Sequence, residues 1–149
     1  MVRKVTIDYK RSKKEFEVRE LSDWENVAEF LISKMKSGML VTLKGDLGAG
    51  KTTLTQYIAK QLGVSQRALS PTFALIRSYK VQSANYKEFK RLLHLDAYRI
   101  EDESELLPLE LDEELAESGT VMIVEWPNKI PGWISKQDYV IQVEIELVT

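Results

Sequence analysis

The chain has no cysteine. Disulfides and thiolate metal sites are thereby excluded, and a reducing compartment is permitted. No apolar N-terminal segment has the form of a signal peptide, and no hydrophobic run reaches membrane-spanning length, so the expected location is the cytoplasm, away from any membrane. No internal repeat or low-complexity linker divides the 149 residues. That length suits one domain with a proper core, 1–149, and is short for two. With 44% hydrophobic and 30% charged residues, the composition is that of a soluble globular protein rather than a disordered one.

Positive charge is nearly absent from the last third. Residues 1–100 carry 19 Lys and Arg against 10 Asp and Glu, whereas residues 101–149 carry 2 against 13. The net charge of −2 hides this asymmetry. The first hundred residues could face a polyanion such as nucleic acid; the acidic remainder should not. Two solvated faces would give the same arithmetic.

What organises the sequence is residues 39–62. A short apolar run (Leu40, Val41, Leu43) leads into Gly45, Asp46, Leu47, Gly48, Ala49, Gly50, Lys51 and Thr52, a complete G-x-x-x-x-G-K-T followed by Thr53. Leu54, Ile58 and Leu62 then recur at helical spacing until Gly63. Strand, glycine loop, helix is the order a phosphate site requires. Glycines let successive N–H groups converge on one oxyanion, and the helix N-terminus adds free N–H groups and a favourable dipole. Lys51 can reach outer phosphates as a point charge, and the Thr52 hydroxyl is placed to hold Mg²⁺.

Around this centre, residues 2–20 read as a strand hairpin about the charged turn 10–14. Ser22 opens a helix with a capping-box pattern to Glu25; Trp24, Val27, Ala28, Leu31, Ile32 and Met35 share one face, and Gly38 ends it. Trp24, in the first turn, either packs on the core or stacks on a nucleobase. Residues 70–73 (SPTF) form an extended or turning segment in which Thr72 could serve Mg²⁺ or a phosphate. Residues 73–79 and 92–98 read as strands. In the second, His94, Asp96 and Tyr98 share a face, which makes Asp96 either a working carboxylate or part of an Asp–Arg or Asp–His structural network. The acidic stretch 101–117 reads as one or two short amphipathic helices interrupted near Pro108. Val121, Met122, Ile123 and Val124 end in Glu125, the form of a Walker B strand, whose acid sits at the carboxyl edge where α/β sheets bind ligands. Residues 139–148 alternate as a closing strand with one buried face. The expected fold class is α/β, a P-loop NTPase-like three-layer fold whose mixed sheet has a parallel centre and antiparallel hairpins at its margins.

Four motifs in order, GDLGAGKTT at 45–53, SPTF at 70–73, HLDAYR at 94–99 and VEWP at 124–127, resemble the TsaE family (older name YjeE) of bacterial P-loop ATPases, over residues 21–143. The resemblance implies ATP/ADP and Mg²⁺ as cofactors, with residues 48–53 on the phosphates, and Thr52 and Glu125 on the metal. Thr72 becomes a switch-loop threonine, and Asp96 a carboxylate that activates water or secures the metal. Trp24 and, more loosely, Ser135 fall where the family lines the adenine. Leu109-Glu110 departs from the family's Leu-Gly and leaves the turn at 108–112 open. The function implied is an ATPase subunit of tRNA threonylcarbamoyladenosine synthesis that acts on the TsaB–TsaD pair, is monomeric when free, and contacts tRNA directly or only through its partners. With no evident arginine finger in cis, hydrolysis should be slow alone. The alternative is a small-molecule P-loop kinase, disfavoured because no arginine follows Arg99 to build a lid. A guanine switch is disfavoured because Asn128-Lys129 lacks the aspartate of N-K-x-D.

Overall fold

The computed structural model describes residues 2–65 and 75–148. The glycine-loop strand β3 (Leu40–Lys44) lies in the sheet interior, between β6 (Thr120–Glu125) and β7 (Val140–Leu147), and parallel to both. β5 (Arg91–Asp96) continues the parallel centre beside β6, and β4 (Ile76–Lys80) closes that edge antiparallel. On the other side, β1 (Arg3–Tyr9) runs antiparallel to β7, and β2 (Ser12–Val18) antiparallel to β1. The resulting order is β2-β1-β7-β3-β6-β5-β4. Every residue of β6, and β3 up to its last, is buried, as parallel strands covered on both faces must be. β7 alternates instead, with Ile141, Val143 and Ile145 inward.

Two cores lie on the two sheet faces. One holds α1 (Asp23–Lys34) and α2 (Lys51–Gln61) against Val41, Leu43, Val121, Ile123 and the inward face of β7. The other packs a 3-10 turn (Glu103–Leu109), α3 (Leu111–Ala116) and α4 (Pro131–Ser135) against Leu93, Leu95, Met122 and Val124. Leu54, Ile58 and Leu62 are fully buried. Each contributes about 2 kcal/mol by leaving water, and together they fix the direction in which the N-terminus of α2 points.

Several local expectations are corrected. Ser22 makes no side-chain cap. The first N–H groups of α1, from Asp23, Trp24 and Glu25, donate to the carbonyls of Glu20, Leu21 and Ser22. The Asp23 side chain accepts the N–H groups of Arg19 (2.8 Å) and Glu20 (3.1 Å) ahead of the helix. α1 ends at Lys34, with Met35 already extended, three residues before Gly38. β5 stops at Asp96, so Tyr98 stands beyond the strand. Pro108 lies inside the 3-10 turn, and the break falls at Glu110, which adopts φ 50° and ψ 48°. This is the left-handed turn a glycine would make, at a cost of roughly 1–2 kcal/mol for a residue with a Cβ.

Candidate functional site

β3 ends at Lys44 and the chain turns through the glycine loop into α2. Gly48 and Gly50 take φ +79° and +119°, backbone states that glycine adopts freely. A Cβ on Gly50 would lie 2.6 Å from Cζ2 of Trp24, so the loop closes down on that indole. α2 begins without a side-chain cap, leaving its first-turn N–H groups for other acceptors. A hollow of about 260 Å³ opens here, lined by the loop, Thr52, Thr53, Asp96, Tyr98, Glu125 and Trp126.

Lys51 is buried, and its Nζ donates to the carbonyls of Gly45 (2.5 Å) and Asp46 (2.8 Å). The ammonium also sits 4.2 Å from the centroid of the Trp126 ring, a cation–π contact. Desolvation pulls its pKa below the ordinary lysine value; Glu125, Asp46 and Asp96 act in the opposite direction. Glu125 is buried at the carboxyl end of β6. One of its oxygens lies 2.6 Å from Nε2 of His94, and the other accepts the Thr52 hydroxyl at 3.3 Å. Asp96 pairs with Glu125 in the strand register but is exposed, and the N–H of Tyr98 donates to its Oδ1 at 3.1 Å. Trp126 holds φ 60°, with its ring 5.0 Å from that of Tyr98.

Among the expected site residues, Gly48, Gly50, Lys51, Thr52, Thr53, Asp96 and Glu125 line this one hollow, together with Leu47. Gly45 and Asp46 lend their carbonyls to Lys51, and Ala49 is buried beneath the loop. Two others stand apart from the opening. Trp24 is 2% exposed and backs the loop from the core, so it has no free face for a base. Ser135 sits in α4, its hydroxyl bonded to the Gly132 carbonyl at 2.8 Å. Thr72 and its SPTF motif lie outside the described residues. Sequence reasoning missed Arg3, whose Nη2 reaches the Gly48 carbonyl at 3.4 Å from 45 residues upstream; no motif marks it, and it places an arginine of this chain at the hollow. The Trp126 and Tyr98 rings were also missed as lining, though VEWP and HLDAYR contained them.

The site therefore brings HLDAYR and VEWP against the base of the glycine-loop helix. The family model described as Threonylcarbamoyl adenosine biosynthesis protein TsaE matches residues 18–148. The chain belongs to the TsaE family. The tRNA threonylcarbamoyladenosine biosynthesis protein TsaE of Bacillus subtilis (strain 168) is 42% identical over 104 residues, 70% of this chain and 60% of its own length. The protein of the same name from Nostoc is 36% identical over 109 residues, 71% of this chain and 63% of its own. The matches thus span less than two thirds of these relatives. The crystal structure of Bacillus subtilis YdiB aligns with a TM-score of 0.65 at 27% identity, covering 100% of this chain and 80% of that one. This TsaE-family chain has the expected fold, a mixed α/β sheet with a parallel centre and antiparallel margins. Among the described residues no helix is long and apolar enough to cross a membrane.

The hollow's donor set fits a nucleotide and Mg²⁺. Uncapped N–H groups and a buried lysine suit an anion. Among the described residues no group of three acidic or histidine side chains forms a ligand cage. Mg²⁺ takes one or two carboxylates with waters and substrate phosphates, and the hollow presents the Glu125 and Asp96 carboxylates beside the Thr52 hydroxyl.

Proposed function

We propose that this chain binds and slowly hydrolyses ATP with Mg²⁺ at the glycine-loop hollow, as the nucleotide-driven component of tRNA threonylcarbamoyladenosine synthesis acting on the TsaB–TsaD pair. The observation that carries the reading is the contact between Thr52 and Glu125. The hydroxyl that follows the loop lysine meets the acid that ends the neighbouring strand, the two protein groups a nucleotide-bound Mg²⁺ needs.

The loop and first-turn N–H groups hold the phosphates, and Lys51 exchanges its two loop carbonyls for phosphate oxygens. Thr52 and Glu125 would hold the metal, which when bound would supply charge neutralisation for the reacting phosphate. His94 keeps the Glu125 carboxylate in one orientation. Asp96, exposed in the hollow with Oδ1 fixed by the Tyr98 N–H, orients a water and accepts its proton. Thr72 enters on the family resemblance alone. The names of the relatives support the place in tRNA modification, and the TsaB–TsaD pair comes from the same resemblance.

The deciding experiment measures hydrolysis by the purified protein, alone and with TsaB–TsaD from the same source, with GTP as control. We expect a low ATP-specific rate that rises with the pair. No response to the pair, with phosphotransfer appearing only when small metabolites are added, would overturn this in favour of a kinase.

A further inference from the structure

We infer that the β1–β2 hairpin and the adjoining face of α1 form a second binding site, one that takes single-stranded RNA through its phosphates and an unstacked base. The inference stands apart from the nucleotide site, because no residue lining the hollow between hairpin and helix lines the glycine-loop hollow, to which β1 gives only Arg3.

A hollow of about 390 Å³ is lined there by Tyr9, Phe30, Lys10, Lys13, Lys14 and Lys34 among others, with no carboxylate in its wall. Three ammonium groups lie over aromatic rings: Lys10 over Tyr9 at 5.2 Å, Lys14 over Phe16 at 5.6 Å and Lys34 over Phe30 at 5.5 Å. None of the four lysines forms an ion pair among the described residues; the hairpin's own cross-strand pair is Lys4–Glu15 at 3.5 Å. Acidic residues gather on the other face, where Thr6 stands between Glu15 and Glu144, and Lys4 between Glu17 and Glu146. That face also carries Lys4 and, opposite Asp8, Lys13, so it is mixed in charge, whereas the hollow beside α1 is lined by lysines without a carboxylate.

The turn carries the same message. Tyr9 pairs with Ser12, leaving Lys10 and Arg11 as a two-residue loop with φ 49° and 64°. Such turns favour Asn-Gly or Asp-Gly. Two long cationic residues instead occupy a conformation they disfavour, and strain of this kind collects at functional sites. A concave wall of half-buried rings beside cations is the form that takes a splayed base and its phosphates. A duplex hides its base faces and a lipid surface has none, so unpaired RNA is the favoured ligand. That choice accords with a family of tRNA modification.

The test is fluorescence anisotropy with a labelled single-stranded oligoribonucleotide, the same sequence as a duplex, and phosphatidylserine vesicles as a competitor. The single strand should bind best, with log K falling against log salt by about 0.7 per phosphate contact. Lys10→Asn/Arg11→Gly gives the turn the residues its backbone favours; this variant should melt no lower than the parent yet bind about tenfold more weakly, with a shallower salt slope. Tyr9→Ser should lose the preference for single strand over duplex, and Lys34→Glu should weaken binding from the helix side. Unchanged affinity in the double variant, equal binding of duplex, or competition by vesicles at matched charge would overturn the assignment.

Discussion

The glycine-loop hollow and the hollow between the acidic segment and α4 teach by their difference. The second is the larger, about 530 Å³ against 260 Å³. Two of its carboxylates are already engaged in holding the fold. Glu103 accepts the N–H groups of Gly132 (3.3 Å) and Trp133 (2.9 Å), and Asp112 accepts the Trp133 indole N–H at 3.1 Å. It is a joint between α4 and the acidic segment. In the smaller hollow the Asp96 carboxylate and the first turn of α2 face open space, and the loop backbone has no room for a Cβ at Gly50. Volume does not mark the site; polar groups turned toward the opening do. Both hollows carry a left-handed non-glycine residue, Glu110 and Trp126. The Trp126 ring meets Lys51 and Tyr98, whereas Glu110 is exposed.

The contrast can be tested from its strongest point downward. Asp96→Asn should lower ATP turnover by about 10²–10⁴-fold while Mg-ATP still raises the melting temperature; undiminished turnover would remove Asp96 from the chemistry. Lys51→Ala should abolish the stabilisation by Mg-ATP, about 2.7 kcal/mol at a hundred times Kd. Glu103→Ala should do the reverse, lowering unfolding stability by about 1–3 kcal/mol with the Mg-ATP shift intact. If those two variants exchange phenotypes in thermal melts, the hollows have been assigned the wrong way round. Glu125→Ala should weaken the Mg²⁺ dependence of binding more than nucleotide binding itself; titration showing equal losses would make Glu125 structural. Glu110→Gly should stabilise by about 1 kcal/mol in urea unfolding with no change in nucleotide affinity, and a destabilised variant would mean the Glu110 side chain is needed.

The smallest effect is in acid. Backbone N–H groups hold the carboxyls of Asp23 (from Arg19 and Glu20) and Asp102 (from Ser104) below their ordinary 3.8. Between the folded and unfolded values the unfolded chain binds more protons, so stability rises with pH. Each contribution is complete above about pH 4 and is lost as pH falls through the lowered folded value. Asp102→Asn should flatten the acid limb of a stability–pH curve; an identical limb would assign it elsewhere.

The centre of the molecule was legible because each feature has a local signature. A glycine loop between a strand and a helix is read from spacing, and Glu125 from four apolar residues ending in an acid. His94 and Asp96 share a face by alternation, as read, yet one is buried and the other exposed, because β5 stops at Asp96. Periodicity carries no account of where a strand leaves its sheet. Trp24 was rightly placed on the core face of its helix. Its burial under Gly50 depends on a close approach between segments 26 residues apart, which no single stretch displays. Arg3 and the place of β7 were hidden for the same reason: both are set by strand order, and order is a property of the assembled sheet.

That order has a consequence for how the protein is made. β7 is the last strand in sequence, yet it stands between β1 and β3. Until it is in place, β1 and β2 have no other strand to pair with, and a two-stranded hairpin is marginal in water. The hairpin therefore joins the sheet only after β7 is present, and its pairing brings Arg3 beside Leu147, far apart along the chain. Such non-local pairing is slow. While it is pending, the inward edge of β3 stays unpaired and open to other chains. A molecule whose residues 140–147 have not yet paired can hold its glycine loop between β3 and α2 while the β1–β2 hairpin lacks the strand that ties it to the sheet.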